Sequence, residues 1–142
     1  MGSRRKSREL ALQILFELDT NQSDVQKAID QFWKNFDYPE DLREFSERLV
    51  EGVAEHREEI DRLIGKHAKN WSLSRIDRVD RNIMRAAIFE LAHCPDIPPK
   101  VAINEAIELS KKFGSEKSPS FINGILDKIA QEIKKDRIPR NE

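Results

Sequence analysis

The chain has 142 residues, of which 36% are charged and 38% apolar, and its formal net charge is -1. This balance predicts one soluble helical domain with its own core, and it excludes a polycation that binds nucleic acid over its whole surface. Any nucleic-acid site is therefore expected to be a local patch. The single cysteine, Cys94, excludes an internal disulfide. Without a signal peptide or a long apolar run, the sequence indicates a cytoplasmic protein with no membrane segment.

Helical periodicity begins near the N-terminus, where the first helix is predicted to run from about Arg4 or Arg5 to Leu18. Leu12 and Phe16 lie off the main apolar stripe of this helix, so the helix is either enclosed in a core or offers part of itself to a partner. The residues of the main stripe are Leu10, Ala11, Ile14, Leu15 and Leu18.

Two further helices are predicted in the first half of the chain. A capping box at 23–26 opens the second helix, whose apolar face ends at Phe36. After Pro39, one long third helix is expected to continue to His67 or Ala68, since its apolar residues keep the same stripe throughout.

The best candidate boundary between two halves lies at 69–73, and Trp71 is predicted to be an anchor packed between them. A second capping box at 74–77 then opens a fourth helix. The proline-rich stretch at 93–99 ends this helix.

The stretch at 100–129 predicts two amphipathic helices folded back as an antiparallel hairpin. Gly114 is expected to end the first of them in a left-handed conformation, and Ser118 to cap the second. The first apolar stripe comprises Val101, Ala102, Ala106, Leu109 and Phe113. The sequence thus predicts an all-α fold of about six helices in two three-helix bundles that share a core, at about 4–70 and 74–133, followed by a disordered basic tail at 134–142.

The usual catalytic signatures are absent from the sequence, including phosphate-binding glycine loops and zinc-protease helices. His56, His67 and His93 have no partners at a diagnostic spacing. The sequence therefore predicts a protein that is not an enzyme, with no catalytic residue, cofactor or metal site.

The basic start of the chain is the most informative charge feature. Arg4, Arg5, Lys6 and Arg8 precede any acidic residue. Cations at a helix N-terminus oppose the helix dipole, so such a run suggests phosphate contact. The alternative is an ordinary solubilising surface.

A second basic cluster lies in the hairpin, at Lys111, Lys112 and Lys117. The two lysines at the end of a helix suit its dipole, and Phe121 could equally belong to the core. Together with the amide of Asn123, however, these residues are of the types that recognise single-stranded RNA, because cations hold phosphates, rings stack on bases and amides read base edges.

The run VAINEAIELSKKFGSEKSPSFINGILDKI and the start RRKSRELALQILFEL resemble the NusB family of transcription antitermination factors, over about Arg4 to Ile133. The resemblance implies an all-helical fold and binding of single-stranded boxA RNA of ribosomal-operon transcripts. It also implies that the RNA is bound together with NusE, a small-ribosomal-subunit protein, within an RNA polymerase antitermination complex.

The resemblance assigns roles to particular residues. The predicted RNA-binding set is Arg4, Arg5, Lys6, Arg8, Lys112, Lys117, Phe121 and Asn123. The predicted partner-binding set is Phe16, Asp80 and Arg85, to which the apolar pattern of the first helix adds Leu12. The arm RRKSR is not a longer unbroken arginine run, which implies weaker RNA binding, whereas Lys117 replaces an acid of some relatives, which implies tighter binding.

Two other interpretations remain open. One is a protein-interaction module that acts through Leu12 and Phe16 and has no direct role with RNA. The other is the NusB-like domain that precedes a catalytic domain in certain rRNA cytosine methyltransferases, but this chain has neither the length nor the cofactor motif for it. The chain is expected to be a monomer or a weak homodimer.

Overall fold

Seven α-helices and one 3-10 turn make up the regular structure of the residues that the computed structural model describes, which are 3–21, 24–69 and 71–136. The helices are α1 (Ser3–Asn21), α2 (Val25–Asn35), α3 (Glu40–Glu55), α4 (Arg57–His67), α5 (Arg78–His93), α6 (Pro99–Phe113) and α7 (Ser118–Asp136), and the 3-10 turn is Leu73–Arg75. The predicted all-α class is confirmed. None of these helices combines the length and the apolar character needed to cross a membrane.

The chain divides into two compact units, and the first ends at Glu55. In this unit α1 packs against α3, and α2 packs against both. Two buried serines join α1 to α3: the Ser7 hydroxyl donates to the Leu42 carbonyl at 2.8 Å, and the Ser46 hydroxyl donates to the Ser7 carbonyl at 2.7 Å. Because small hydroxyl side chains occupy this contact, the two helix backbones can approach closely at the point where the basic start of α1 lies.

The second unit begins at His56 and contains α4 to α7. α5 is its central helix, since it contacts α4, α6 and α7. Every residue of α5 from Asn82 to Ala92 is buried, including the polar side chains of Arg85 and Glu90. A helix buried on all sides must satisfy its charges internally, which determines how the polar residues of α5 can act.

The predicted long third helix is wrong, because the chain turns at His56 and forms α3 and α4 instead. Val53 and Ile60 are both buried and lie seven residues apart, which is close to two helical turns. The apolar periodicity therefore continues across the break and hides it. The described residues thus contain seven helices instead of about six. The two halves predicted at about 4–70 and 74–133 stay a prediction.

The start of α5 also differs from the prediction. Asp77 caps this helix, its carboxylate accepting from the backbone N–H groups of Val79 at 3.1 Å and Asp80 at 3.4 Å. The capping box predicted from Ser74 is therefore wrong, since Ser74 lies in the 3-10 turn. For α2 the cap is Asp24, and Ser23, where that predicted box begins, lies outside the described residues.

Several aromatic and apolar residues predicted to be buried are exposed. Trp71 is 50% exposed, so its predicted role as a buried anchor is wrong. Phe36, Val101 and Phe113 are also exposed, because each lies at or near a helix end, where the neighbouring helices no longer cover it. α7 continues to Asp136, three residues into the segment predicted to be disordered, and the rest of that segment lies outside the described residues.

Candidate nucleic-acid interface

The basic start of α1 is helical from Ser3, and Arg4 and Arg5 are both exposed on it. The first turn contains no acidic residue that would offset these charges against the helix dipole. Lys6 is partly covered, and its ammonium lies 3.7 Å from the carboxylate of Glu9. The cations that face solvent are therefore concentrated in the first turn.

An aromatic ring organises this region. The guanidinium carbons of Arg4, Arg8 and Arg48 lie 4.3, 5.2 and 5.9 Å from the centroid of the Phe45 ring. We call these four residues the Phe45 cluster. Phe45 itself is buried on α3, so the cluster is a cationic layer spread over a fixed apolar base. Each cation–π contact contributes about 0.5–1 kcal/mol at an exposed site, which restricts where the cations can lie.

The Phe45 cluster changes the expectation for Arg8 and adds Arg48. Arg8 is buried, and burial limits its access to RNA. A direct role for Arg8 in RNA binding stays a prediction. Arg48 was missing from the sequence prediction. A signal for it existed, because Phe45 and Arg48 are three residues apart on one helix and so project from neighbouring positions.

Leu12 and Phe16, predicted together as a partner-binding surface, have different environments. Leu12 is buried in the core of the first unit, whereas Phe16 is 38% exposed. An exposed aromatic ring on a helix is the kind of residue that contributes strongly to protein interfaces. Phe16 is therefore the more accessible of the pair, and a role for either residue in partner binding stays a prediction.

The hairpin turn between α6 and α7 depends on a close approach instead of a left-handed glycine. Gly114 has φ -94° and ψ -167°, so the predicted left-handed conformation is wrong. A Cβ at this position would lie 2.6 Å from the Ser118 hydroxyl oxygen and 2.8 Å from the Ser110 carbonyl oxygen. Glycine is needed here because any side chain would collide with this turn.

Ser118 holds the same turn together. Its hydroxyl oxygen accepts from the backbone N–H of Ser115 at 2.9 Å, which lies in the turn before α7. The Ser118 hydroxyl was predicted to cap the first turn of α7, and the hydrogen bond that it accepts comes instead from the loop before this helix. Because Ser118 is buried, the turn has a fixed conformation beneath its exposed lysines.

The hairpin presents most of its predicted RNA-binding residues to solvent. Lys112, Lys117 and Asn123 are exposed, and Phe121 is half-buried. The Lys112 ammonium lies 5.4 Å from the ring centroid of its neighbour Phe113, which is itself exposed. The hairpin thus offers cations, an amide and an exposed ring. That ring is Phe113, which the sequence places in the apolar stripe of the helix instead of at the surface.

Arg85, a predicted partner-binding residue, is 2% exposed. Its guanidinium donates twice to Asp61, at 2.8 and 3.1 Å, and once to the Asn82 side-chain oxygen at 3.2 Å. This bidentate pair, buried on the side of Arg85 and partly exposed on the side of Asp61, joins α5 to α4. A role for Arg85 in partner binding remains a prediction, and its burial restricts that role to an indirect one.

Asp80, the other predicted partner-binding residue of α5, is also buried. Burial raises the pKa of its carboxyl, a hydrogen bond from Ser118 opposes the rise, and the negative charge of Asp77 adds to it. Its Oδ1 atom is buried without a hydrogen-bond partner among the described residues. Asp80 thus supports the hairpin turn from beneath, and any effect on a partner remains a prediction.

The three histidines face carboxylates in the structure, although the sequence shows no partners for them at a diagnostic spacing. His67 Nε2 lies 2.6 Å from a Glu132 carboxylate oxygen, so this pair links α4 to α7. His56 and His93 both face the carboxylate of Glu59. Sequence spacing conceals these pairs because the partners of His67 and His93 lie on other helices.

Comparison with known proteins adds independent evidence. Residues 5–131 match the model of the NusB family. The chain belongs to the NusB family. Its relatives include the transcription antitermination protein NusB of Syntrophus aciditrophicus, which is 50% identical over 135 residues, spanning 95% of this chain and 84% of the relative.

Solved structures of NusB proteins share the fold. The structure of T. maritima NusB matches with a TM-score of 0.82 and 38% identity, covering 91% of each chain. A crystal structure of antitermination factors NusB and NusE in complex with dsRNA also matches with a TM-score of 0.82, at 28% identity, covering 91% of this chain and 96% of that one. The resemblance to the NusB family and the all-helical fold are thereby confirmed.

Proposed function

We propose that this protein is a non-enzymatic, cytoplasmic transcription antitermination factor that binds boxA RNA together with a NusE-type protein. In this role it holds both within an RNA polymerase antitermination complex. Membership of the NusB family supports antitermination, and the related complex of NusB and NusE with dsRNA supports RNA and NusE as partners. The boxA sequence, the polymerase complex and a monomeric or weakly dimeric state belong to the proposal.

The observation that carries the RNA part is the start of α1. It presents Arg4 and Arg5 to solvent at a helix end where cations are electrostatically unfavourable, and its first turn contains no acid. The Phe45 cluster places further guanidinium groups beside them. Such an arrangement is suited to phosphate oxygens, whose negative charge removes the repulsion with the dipole.

The hairpin supports the proposal from the second unit. Lys112 and Lys117 provide exposed cations, while Phe113 and Asn123 provide a ring and an amide for bases. On the partner side, the exposed ring of Phe16 is the residue best placed for direct contact with a NusE-type protein. That exposure also favours the second candidate function, a protein-interaction module without a direct role with RNA.

The experiment that tests the proposal is fluorescence anisotropy with a labelled single-stranded boxA RNA. A scrambled strand and a duplex serve as controls, the latter because the related complex contains dsRNA. Each is measured with and without a NusE-type partner at two salt concentrations. We expect a preference for boxA that tightens with the partner and weakens with salt. Partner binding without any RNA preference would instead establish the protein-interaction module.

Arg5→Glu is the sharpest variant for the RNA site. We expect RNA affinity to fall, and the slope of its logarithm against the logarithm of salt concentration to fall by about 0.7 for each phosphate that the variant no longer neutralises. The protein should remain folded, because Arg5 is exposed and an acid in the first turn of a helix suits the dipole.

Lys27→Glu is the matched control for this variant. Lys27 is exposed, belongs to the same unit and lies in the first turn of α2, so the change in charge and in helix-dipole energy is the same. Equal RNA affinities for the two variants would contradict a role for the start of α1.

A further inference from the structure

His56, Glu59 and His93 converge at one point on the second unit. His56 occupies the turn before α4, Glu59 lies in the first turn of α4, and His93 is the last residue of α5. One oxygen of Glu59, Oε1, lies 3.6 Å from His56 Nδ1 and 3.1 Å from His93 Nε2. The two imidazole rings are stacked, with centroids 3.8 Å apart and planes inclined by 18°.

Hydrogen bonding accounts for one of the two contacts with Glu59, and both imidazole rings also stack against Phe89. The 3.1 Å contact is within hydrogen-bond range, but the 3.6 Å contact is too long. His56 therefore directs its Nδ1 atom towards the carboxylate without bonding to it. The two nitrogen atoms and the oxygen all lie within 4.8 Å of one another.

These separations match those of a metal's coordination sphere. Bonds of about 2.0–2.1 Å in tetrahedral geometry place neighbouring ligand atoms about 3.4 Å apart. The two nitrogen–oxygen separations of 3.1 and 3.6 Å lie on either side of this value. Because the two rings are stacked, at least one imidazole must rotate out of the stack before both nitrogen atoms can point at one ion, and His56 is the more exposed of the two.

We propose that His56 Nδ1, Glu59 Oε1 and His93 Nε2 bind a divalent transition-metal ion of the Zn²⁺ class. Two imidazoles and one carboxylate form a ligand set that Zn²⁺ binds readily. Alkaline-earth ions bind it poorly because they prefer oxygen ligands. The side chains are 29%, 29% and 16% exposed, so an ion can enter and a water molecule can complete a fourth position. The C-terminal end of α5, which carries His93, favours a cation by its dipole.

The His67–Glu132 pair shows what an ordinary ion pair looks like in the same unit. Only one imidazole faces Glu132, and the ammonium of Lys66 lies 3.2 Å from its other oxygen. The hydrogen bond from His67 is the main cause that lowers the pKa of Glu132, and Lys66 adds to it. A cation beside the carboxylate repels a metal ion, so this pair provides an internal comparison for the proposed site.

A bound ion would join the start of α4 directly to the end of α5. Because the ligands come from two helices, the ion would bind the folded state and not the unfolded chain, and it would raise the unfolding temperature with metal concentration. This effect is independent of RNA binding.

The test is calorimetric titration of Zn²⁺ into the full chain after treatment with a chelator, together with the visible absorption of Co²⁺ as a probe of tetrahedral coordination. We expect one ion per chain. Glu59→Gln and His56→Asn should each lower Zn²⁺ affinity by at least about 10- to 100-fold, since even the loss of an outer-shell partner has an effect of this size. His67→Asn, the matched control, should bind Zn²⁺ like the unaltered protein.

His56→Asn keeps the test valid if another variant fails to fold. His56 is the N-cap residue of α4 and its side chain makes no capping hydrogen bond, whereas asparagine is a preferred residue at this position. Helicity measured by circular dichroism confirms the fold of each variant. The proposal is overturned if the unaltered protein binds no stoichiometric Zn²⁺, if His56→Asn binds it equally well, or if His67→Asn loses binding to the same degree.

Discussion

The start of α1 and the middle of α5 both carry charged residues that sequence reasoning assigns to binding, yet the structure gives them opposite environments. Arg4 and Arg5 lie at the surface of the first unit, where the first turn has no acid. Asp80 and Arg85 are buried in the second unit, where they contact other polar side chains of their own chain. Residue type alone therefore does not distinguish a group that acts on a ligand from one that acts on the fold.

The energetic consequence differs accordingly. Removing a surface cation changes interactions with phosphate and has little effect on folding. Removing one partner of a buried ion pair leaves the other charge less well compensated in a poorly solvated place. Measurements that separate stability from affinity should therefore assign the two regions to different roles.

The largest expected effect is that of Asp61→Asn. This change keeps the shape of the side chain but removes the charge that receives two hydrogen bonds from the buried Arg85. We expect the free energy of unfolding to fall by about 3–5 kcal/mol, towards the lower end because Asp61 is partly exposed. Denaturant unfolding followed by circular dichroism measures this loss.

Glu108→Gln is the control for Asp61→Asn. Glu108 forms an exposed ion pair with Lys111 at 3.3 Å in the same unit, and such pairs contribute about 0–1 kcal/mol. If both variants lost the same small amount of stability, the distinction between the two regions would fail, and direct partner contact by Arg85 would become the better explanation.

Gly114→Ala should have the next largest effect. Its Cβ would lie 2.8 Å from the Ser110 carbonyl oxygen and from the Ser118 Cβ, and the backbone carbonyl cannot move away easily. We expect a loss of about 1–3 kcal/mol in the free energy of unfolding, which is typical of overpacking. Thermal or denaturant unfolding of the full chain checks this value.

Gly124→Ala, in the same hairpin, should instead raise the free energy of unfolding. A Cβ on Gly124 would meet no atom within 4 Å, and this glycine lies in the interior of α7. Alanine is favoured over glycine in a helix, so stability should rise by about 0.5–1 kcal/mol. If Gly114→Ala were also stabilising, the close approach that defines the turn would be refuted.

The extent to which the sequence predicts this molecule follows from the range of the interactions concerned. Apolar spacing predicts the helices well, because burial of one face is a local periodic signal, as in the hairpin of α6 and α7. The same signal fails at His56, where a spacing of seven residues fits both a continuous helix and two helices. Gly114 stands out in the sequence, but the reason for it lies in contacts with Ser110 and Ser118 instead of in its own backbone angles.

Long-range partners set the limit for the site residues. Asp61 and Arg85 are 24 residues apart, and Glu59 and His93 are 34 apart, so no motif spacing reveals either contact. The exposed cations at the start of α1 are different, because a run of cations at a helix end with no acid in the first turn is visible in the sequence itself. Their contact with RNA remains a prediction.

The smallest expected effect, Asp80→Asn, tests whether the polar residues of α5 serve the fold through their charge or through their shape. Burial raises the pKa of Asp80 in the folded state above its ordinary value of 3.8, so the folded state tolerates the carboxylate less well than the unfolded chain does. The resulting penalty is present above the folded-state pKa and disappears as the pH falls towards 3.8. We therefore expect the variant to be more stable than the unaltered protein at pH 7, by less than about 1 kcal/mol because the hydrogen bond with Ser118 is also altered.

This difference in stability should shrink on acidification. Denaturant unfolding at several pH values measures it, with Asp127→Asn on the exposed face of α7 as the control for net charge. A variant that is less stable at pH 7 would mean that the Ser118 hydrogen bond to the ionised carboxylate outweighs the burial of its charge, and the hairpin turn would then depend on the charge of Asp80.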